Sequence, residues 1–574
     1  MIFRPYLLTA LAASTTLMAC GGSDEQPLPL PQLTAAQAAT LSSCTALSGF
    51  SFAGTTVTAA STVASGTLNN AGQPVGEHCL VVGRMNDRVS TVDGQTYAIG
   101  FQMRLPRDWN GRFLHQGNGG TDGTVAVADG GGSLGSGGLL RNGLQMGFAV
   151  LSSDAGHSGA QNPLFGIDPQ ARLDYGYQAV RSLTPMAKAL ILAAYNKGPD
   201  RSYFAGSSNG GRHAMVAAAR LPADYDGFLA NSPGFNLPKA AVAQLWGAQQ
   251  WNKVVTSTGT APLYDLESAF TQTERRLVAN AILGKCDALD GVADGLVQDA
   301  DACRTAFDLA RDVPTCSAAR DGTTCLSAAQ KTVVADVFAG AKNSAGTALY
   351  ARWAYDPGLS ATGWADWKFR NSVRGGRDPV AVAHIFSVPP VTTALSNTLS
   401  YALSFNMDTD APNIFATNSV HTESAMSLMT PPDPANLDTM RLRGGKMLVI
   451  HGSADGVFSV DDTAAWYDAL DQRLAGRAAD AVRFFRVPGM GHSRGGPATD
   501  QYDALTALVD WVERGAAPDR IVAGARGTGN AGGVNADVPS TWSANRTRPL
   551  CPYPMVARYK SGDSELAASF ACER

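Results

Sequence analysis

Three residue types that nucleophilic catalysis requires occur along the chain in the order serine, aspartate, histidine. Ser208 stands in the pattern Gly-x-Ser-x-Gly, whose glycines allow a turn sharp enough to raise the hydroxyl above a sheet. A serine hydroxyl is a weak nucleophile unless a histidine accepts its proton and a carboxylate orients that histidine. Asp455 and His492 each follow a later strand-like segment. The order serine, aspartate, histidine therefore predicts a serine-esterase triad.

Backbone amides that could stabilise an oxyanion occur at two places. Asn209, directly after the nucleophile, supplies one at the start of a predicted helix. The glycine-rich segment 115–120 follows a strand-like run and offers the second, with a plain turn as the alternative interpretation.

A cluster of carboxylates in the middle of the chain suits a hard cation. Three aspartates lie within eight residues and are separated by glycines: Asp287, Asp290 and Asp294. Oxygen donors of this kind are typical of Ca²⁺ sites. The spacing is not that of an EF-hand, because Gln298 occupies the twelfth position from Asp287. The alternative is a solvated acidic turn closed by Cys286 and Cys303.

Strand-like and helix-like segments alternate around these residues. Apolar runs predict strands at 98–103, 112–115, 147–152, 202–205, 446–451 and 482–487. Helical spacing predicts helices at 174–195, 212–220, 461–474 and 502–513. The alternation predicts an α/β fold with a mostly parallel sheet covered by helices on both faces. The stretch 235–435 breaks the rhythm and is interpreted as an inserted second domain.

Composition excludes some functions before any motif is considered. The chain has 574 residues, 45 Lys+Arg against 49 Asp+Glu, a net charge of −4 and only 16% charged residues. No basic face is dense enough to neutralise a run of phosphates, so nucleic-acid binding is excluded.

The N-terminus has the pattern of an export signal. Residues 1–20 combine a positive charge, a short apolar stretch and the ending Leu-Met-Ala-Cys, which resembles a bacterial lipobox with Cys20 as the lipidated residue. The alternative is an ordinary cleaved signal. The apolar run is too short for a membrane span, so membrane contact is expected only through this anchor. Segment 21–40 is interpreted as a tether, and the protein is expected in the periplasm, on the outer membrane or outside the cell.

Apart from Cys20, the cysteines are even in number. Export into an oxidising compartment favours four disulfides, and a thiolate zinc site is the alternative, although the chain has no Cys-x-x-Cys pair. These residues are Cys44, Cys79, Cys286, Cys303, Cys316, Cys325, Cys551 and Cys572.

Together these motifs resemble the tannase and feruloyl esterase family from about Cys44 to the C-terminus. The most specific stretches are 166–174, 206–210, 286–296, 451–455, 487–492 and 548–554. The resemblance implies an α/β-hydrolase core in two parts, 41–234 and 436–574, with a large inserted lid domain at 235–435.

The resemblance also implies individual roles. The triad would be Ser208, Asp455 and His492, with the amides of Gly120 and Asn209 as the oxyanion hole. A structural Ca²⁺ in the lid would be held by Asp287, Asp290, Asp294 and the carbonyls of Val292 and Leu296. Trp367 and His451 would contact substrate. The implied disulfides are Cys44–Cys79, Cys286–Cys303, Cys316–Cys325 and Cys551–Cys572.

The chain departs from the family pattern in two places. Ser207 and Ser493 replace a cysteine pair that usually joins the nucleophile turn to the histidine loop, and we predict a less tightly tethered loop with the two hydroxyls in contact. A lid arginine that clamps a free carboxylate, with an aromatic residue over the ring, has no clear counterpart. The candidates are Arg374, Arg377 and Phe386.

The sequence thus predicts an exported serine carboxylesterase that acts on small esters of aromatic acids and needs no organic cofactor. Feruloyl esters, galloyl esters and mono-esters of terephthalate are the expected substrates. The alternative from another class is a non-catalytic, calcium-binding surface lipoprotein, and a peptidase on the same fold is a third hypothesis.

Overall fold

A nine-stranded sheet organises the chain in the computed structural model, which describes residues 29–131, 134–317 and 319–574. The predictions for the signal segment, Cys20 and the first part of the tether lie outside these residues. The strands are β1 (Thr55–Val63), β2 (His78–Val89), β3 (Thr96–Pro106), β4 (Arg112–Gly117), β5 (Ala149–Ser153), β6 (Arg201–Ser207), β7 (Gly227–Asn231), β8 (Lys446–Gly452) and β9 (Val482–Val487).

Their order across the sheet is β1-β2-β3-β5-β4-β6-β7-β8-β9. Strands β1, β2, β3 and β5 pair antiparallel, and every pairing from β5 through β4 to β9 is parallel. The predicted parallel sheet is confirmed for this half. Because the carboxyl ends of parallel strands meet at one edge, the loops that follow them are brought together there.

The longer helices are α1 (Ala179–Tyr195), α2 (Asn209–Arg220), α3 (Leu237–Asn252), α4 (Gln272–Cys286), α5 (Ala328–Ala339), α6 (Val460–Arg473) and α7 (Ala504–Arg514). Side chains that alternate along β6 belong to different cores: Phe204 packs with α1 and α6, whereas Tyr203 packs with α7. Helices therefore cover both faces of the sheet, as predicted.

Shorter elements complete the described chain. Two-residue to four-residue strand pairs join Ala39–Thr40 with Asp108–Trp109, Asn69–Asn70 with Gln73–Pro74, Ile521–Gly524 with Thr547–Leu550, and Val556–Tyr559 with Phe570–Glu573. Short helical segments are Thr45–Gly49, Gly159–Gln161, Leu164–Ile167, Pro169–Leu173, Asp174–Gln178, Glu267–Ala269, Asp287–Asp290, Ala300–Ala306, Leu309–Asp312, Pro357–Ser360, Thr362–Ala365, Asp366–Asn371, Asp378–Val380, Ala381–Phe386, Thr392–Ser396, Thr398–Ser404, Ala411–Ile414, Ala425–Met429, Asp438–Leu442, Ala478–Asp480 and Ala567–Ser569.

The described part of 235–435 consists of helices and loops and adds no strand to the main sheet. Its apolar side chains form a core that also includes Phe165, Tyr175 and Phe458 from the segments that flank the sheet. The boundaries given to the insertion stay a prediction. Among the described residues, no helix has the length and apolar character needed to cross a membrane.

Four disulfides join the same pairs of cysteines that the family resemblance implied. Two of them, Cys286–Cys303 and Cys316–Cys325, lie in the insertion, and Cys44–Cys79 and Cys551–Cys572 secure the two ends of the fold. The described cysteines are thus all in disulfides.

A buried ion pair fastens the last long helix to the sheet. Glu513 of α7 accepts hydrogen bonds from Arg112 Nε and Nη2 at 2.6 and 2.7 Å, from the Tyr203 hydroxyl at 2.7 Å, and from the backbone N–H of Ala36 at 2.9 Å. Burial alone would raise the pKa of Glu513, but these donors hold it below its ordinary value.

We expect Glu513→Gln to lower the free energy of unfolding by about 3–5 kcal/mol, because it leaves the Arg112 charge buried without its partner. Arg514→Ala is the matched control, since that side chain is 70% exposed and its change should stay within about 0.5 kcal/mol. Denaturant unfolding measures both.

The same pair predicts a pH dependence. A carboxyl whose folded-state pKa is depressed stabilises the fold above its ordinary pKa and loses that contribution as the pH falls further. The difference between wild type and Glu513→Gln should therefore shrink below about pH 4.5. Equal shifts for Glu513→Gln and Arg514→Ala would contradict this account.

Candidate active site

The predicted nucleophile lies on a sharp turn between β6 and α2. Ser208 has a positive φ of 62°, a conformation that L-residues rarely adopt outside such turns. A Cβ atom on Gly206 would lie 2.1 Å from the carbonyl oxygen of Gly210, and one on Gly210 would lie 2.3 Å from that of Gly117. Only glycine fits these positions. The helix begins at Asn209, three residues earlier than predicted, because the turn ends at Ser208.

A chain of hydrogen bonds connects the three predicted triad residues. Nε2 of His492 lies 2.8 Å from Oγ of Ser208, and Nδ1 of His492 lies 2.8 Å from Oδ2 of Asp455. With the proton on Nδ1 donated to the carboxylate, Nε2 is free to accept the serine proton. These residues are 284 and 37 positions apart in sequence and meet at the carboxyl edge of the sheet.

The Asp455 carboxylate is fully buried and accepts from several donors. Its Oδ1 receives the backbone N–H groups of Val457 and Phe458, and its Oδ2 receives His492 and His451. Burial favours the neutral acid, but the charge and hydrogen bonds of the two histidines lower the pKa of Asp455 below its ordinary range. The group is therefore ionised and suited to orienting His492.

His451 does not lie where a substrate contact would. Its side chain is fully buried, with Nδ1 2.9 Å from the hydroxyl of Thr463 and Nε2 3.2 Å from Oδ2 of Asp455. The expectation that His451 binds substrate is wrong for this structure, because strand β8 turns the side chain towards α6. Its contact with the active site is the hydrogen bond to the Asp455 carboxylate.

The two amides expected to bind an oxyanion are close to the nucleophile turn. A Cβ atom on Gly119 would lie 3.9 Å from Cβ of Ser208, which places the glycine loop beside the serine. Within the described residues, the N–H groups of Gly120 and Asn209 donate no hydrogen bond. Both donors are thus available to a ligand.

A cavity of about 610 Å³ opens over the serine. The residues that matter most in its lining are Ser208, Gly120, His492, Trp367, Arg377 and Arg494. The Trp367 ring stands nearly perpendicular to the His492 ring, with centroids 5.5 Å apart, and so forms an apolar wall next to the base.

Two arginines bring positive charge to this cavity. Arg377 and Arg494 both line it, and among the described residues neither guanidinium has a hydrogen-bond or ion-pair partner. Arg377 lies over Trp367 and reaches within 3.1 Å of the Cβ position of Gly120. Sequence analysis did not predict Arg494 as a cavity residue, although its position two residues after His492 indicates that it lies near the active site.

The other proposed carboxylate-binding residues lie elsewhere. Arg374 donates to the carbonyl oxygen of Tyr264 at 2.8 Å, and Phe386 is buried at 1% exposure; neither lines the cavity. Of the three candidates, only Arg377 is in a position to meet a substrate.

The serine pair that replaces the usual cysteines makes a direct contact. The hydroxyls of Ser207 and Ser493 are 2.6 Å apart, as predicted, and the backbone N–H of Ser493 also donates to the Ser232 hydroxyl at 3.0 Å. The first bond joins the nucleophile turn to the loop that carries His492, and the second joins the end of β7 to the same loop.

A carboxylate that sequence analysis missed joins the insertion to that same loop. Asp356 is buried and accepts the backbone N–H groups of Gly358 at 2.8 Å and of Gly489 at 3.0 Å. Burial raises the pKa of Asp356 to about 6. No local pattern could identify this residue, because its partner is 133 positions away.

The acidic loop has some of the donors that a cation needs. Oδ2 of Asp290 is buried and unpartnered, and within the described residues the carbonyl oxygens of Val292 and Leu296 accept no hydrogen bond. Asp294 already pairs with Arg548, and Asp287 accepts backbone N–H groups of the loop.

The carboxylates of Asp287, Asp290 and Asp294 lie farther apart than the ligands of an assembled metal site. The described residues include one group of three such donors within 4.8 Å of one another, Cys316, Asp321 and Cys325, and its sulfurs form a disulfide. The donor chemistry fits Ca²⁺, which would have to draw the three carboxylates of the acidic loop together.

The arrangement as a whole can perform acyl transfer. It combines a hydroxyl nucleophile, a base oriented by an ionised carboxylate, two free amides and a partly apolar cavity.

Comparisons with known proteins agree with that chemistry. The sequence profile described as tannase and feruloyl esterase matches residues 79–573. The chain is 40% identical over 527 residues to mono(2-hydroxyethyl) terephthalate hydrolase of Piscinibacter sakaiensis, a match that covers 86% of this chain and 85% of that protein. It is 27% identical over 484 residues to a probable feruloyl esterase B-2 of Aspergillus fumigatus, covering 80% and 81%.

Solved structures share the fold. Feruloyl esterase B from Aspergillus oryzae has a TM-score of 0.72 at 23% identity, covering 92% of this chain and 99% of that one. Tannin acyl hydrolase from Aspergillus niger has a TM-score of 0.63 at 18% identity, covering 91% and 92%. The fold is thus of the expected α/β-hydrolase type.

Proposed function

The chain belongs to the tannase and feruloyl esterase family and is a carboxylic ester hydrolase, and we propose that it cleaves esters of aromatic acids through an acyl-enzyme on Ser208. The observation that carries this mechanism is the hydrogen-bonded sequence Ser208, His492, Asp455 at the base of a cavity walled by Trp367.

In the first half of the reaction, Oγ of Ser208 attacks the ester carbonyl while Nε2 of His492 takes the hydroxyl proton. The amides of Gly120 and Asn209 donate to the oxyanion of the tetrahedral intermediate. The intermediate collapses, His492 gives its proton to the leaving alcohol, and the acyl group remains on Ser208. Asp455 stays ionised throughout and stabilises the imidazolium.

In the second half, His492 takes a proton from water as the water oxygen attacks the acyl ester. Collapse of this intermediate returns the proton to Oγ of Ser208 and releases the carboxylic acid. The cycle uses only side chains, amides and water, so it requires no organic cofactor.

The cavity supports an aromatic substrate that carries negative charge. Trp367 offers a flat apolar surface, and Arg377 offers, beside the Gly120 loop, a guanidinium that has no ion-pair partner among the residues the structure describes. A mono-ester of terephthalate has both a ring and a free carboxylate, whereas feruloyl and galloyl esters have a ring with hydroxyl groups. We propose that Arg377 binds the carboxylate of the first kind of substrate.

We expect a fluorophosphonate probe to label wild type and not Ser208→Ala, and kcat on aromatic esters to fall by at least about 10⁴-fold in that variant. Ser207→Ala is the matched control, because it removes the neighbouring hydroxyl and should still be labelled. Labelling of Ser208→Ala, or an unlabelled wild type, would contradict the mechanism and favour a binding protein.

Arg377→Gln should raise KM for mono(2-hydroxyethyl) terephthalate by about 10-fold or more, since it removes a charge-assisted hydrogen bond. KM for methyl ferulate, which has no carboxylate, should change less than about 2-fold. Arg374→Gln, whose guanidinium bonds outside the cavity, should leave both values in place. Equal changes for the two esters would show that Arg377 does not bind the carboxylate.

We also propose that the acidic loop holds a structural Ca²⁺. The ligands would be the carboxylates of Asp287, Asp290 and Asp294 with the carbonyl oxygens of Val292 and Leu296. The ion would neutralise crowded carboxylates and so stabilise the insertion. Arg548, which pairs with Asp294, already supplies part of that charge.

Chelation by EGTA should lower Tm by several degrees and added Ca²⁺ should restore it, because a ligand at about 100 times its Kd contributes about 2.7 kcal/mol. Asp290→Asn should abolish the response. Asp321→Asn, which changes the exposed carboxylate of the Cys316–Cys325 loop, should keep it. A wild-type Tm that EGTA does not change would contradict the calcium site.

Export is proposed on two grounds. Four disulfides in the described chain support an oxidising destination, and residues 1–20 carry the signal pattern described above. Lipidation of Cys20 would then anchor the protein to a membrane.

A further inference from the structure

The side chain of Asn209 occupies a position between the two halves of the proposed oxyanion hole. Its Nδ2 donates to Oδ2 of Asp122 at 2.7 Å and to the carbonyl oxygen of Asn118 at 3.4 Å, and both acceptors lie in the loop that carries Gly120. Its Oδ1 accepts from Nε of Arg212 at 2.7 Å. One residue thus supplies a backbone amide to the hole and, through its side chain, holds the loop that supplies the other.

A second set of hydrogen bonds connects Asn209 with the loop that carries Gly120. The remaining nitrogens of Arg212 donate to the carbonyl oxygens of Gly176 at 2.8 Å and Tyr175 at 2.9 Å. The hydroxyl of Tyr175 in turn donates to the carbonyl oxygen of Gly120 at 3.2 Å. The peptide units on both sides of the hole are therefore fixed by side chains outside it.

Asp122 is the acceptor that sets the direction of this network. Its side chain is only 2% exposed and does not line the cavity, so it cannot touch substrate. A guanidinium only donates, and a carboxylate only accepts once it is ionised, so above about pH 7 Asp122 and Arg212 together leave one orientation for the Asn209 amide. A neutral amide at position 122 could accept or donate and would not impose that orientation.

The buried surroundings of Asp122 disfavour its negative charge. Burial raises the pKa of Asp122 to about 7, and the charge of Arg212 with the Asn209 hydrogen bond only partly offsets this. His213, whose Nε2 lies 3.1 Å away, is neutral because burial lowers its pKa well below the ordinary value. A buried carboxylate is costly, and here its shortest hydrogen bond is to Asn209.

We propose that Asp122 is a positioning residue for ester hydrolysis: through the side chain of Asn209 it fixes the spacing between the amides of Gly120 and Asn209. The inference rests on the proposed function, since it concerns the oxyanion of that reaction. Donors must be held within about 0.5 Å of their working geometry, and loss of one donor costs about 10²–10³-fold in kcat. A misplaced donor should cost less than a missing one.

The test compares Asp122→Asn with Asp226→Asn on the aromatic ester that wild type prefers. Asp226 is a matched control, because its pKa is also raised by burial and it accepts the backbone N–H of Ser202 at the opposite end of β6. We expect Asp122→Asn to lower kcat by about 10–100-fold with KM within about 2-fold. Asp226→Asn should change neither by more than about 2-fold.

Ligand affinity separates positioning from general damage. An aryl boronic acid, which forms a tetrahedral adduct on serine, should bind Asp122→Asn more weakly by about the factor lost in kcat/KM. The product acid should bind wild type and variant equally. Equal weakening of both ligands, or an unchanged kcat, would overturn the inference.

Asn209→Ala keeps the backbone amide and breaks the same contact from the other side, so it serves if Asp122→Asn does not fold. The double variant should be no slower than the slower single variant, because both changes remove one interaction. Multiplying losses would overturn the inference while leaving the esterase intact. A wild type that hydrolyses no ester would overturn the proposed function, and this inference with it.

Discussion

The close approach of three glycine backbones at the end of β6 is the constraint on which the active centre depends. Gly206 packs against the carbonyl of Gly210, which packs against that of Gly117, and no side chain fits between them. This packing brings β4, β6 and α2 so close that the chain must reverse at Ser208 with a positive φ. The hydroxyl that faces the cavity, the amide of Asn209 and the neighbouring glycine loop all follow from that single approach.

The segment between β7 and β8 lines the cavity over Ser208 with Trp367 and Arg377, and it also bonds to the loops that carry Asp455 and His492. Asp356 binds the loop that carries His492, while Gln244 of α3 donates to the carbonyl oxygens of Gly456 and Val457 in the loop that carries Asp455, each at 2.9 Å. The loops that carry Asp455 and His492 are thus fixed by hydrogen bonds from the insertion and by the sheet strands that precede them. Changes in the insertion will reach the chemistry through these bonds as well as through the cavity wall.

Local patterns predicted most of the parallel half of the fold, because β4, β5, β6, β8 and β9 are short apolar runs followed by turns that contain glycine. Strand β7 was missed, although all of its residues are buried. Strands β1 and β2 were missed as well, because β1 is rich in threonine, serine and alanine and the second half of β2 is charged, so that neither is a continuous apolar run. That Ser208, His492 and Asp455 come together was predictable from their order and context. Asp122 and Asp356 were not, because their partners lie 87 and 133 residues away and no periodicity encodes such contacts. His451 was assigned to substrate on the family resemblance, which does not give the direction of its side chain in this structure.

The hydroxyl contact between Ser207 and Ser493 has a consequence for where the enzyme can mature. A sulfur bridge at this place would need an oxidant before the histidine loop could close, whereas two hydroxyls need none. Among the described residues, no cysteine takes part in the hydrogen bonds between Ser208, His492 and Asp455 or lines the cavity over Ser208. Reducing agents can therefore break the four structural disulfides but cannot break the contact between Ser207 and Ser493. Loss of activity under reduction would then report loss of the fold.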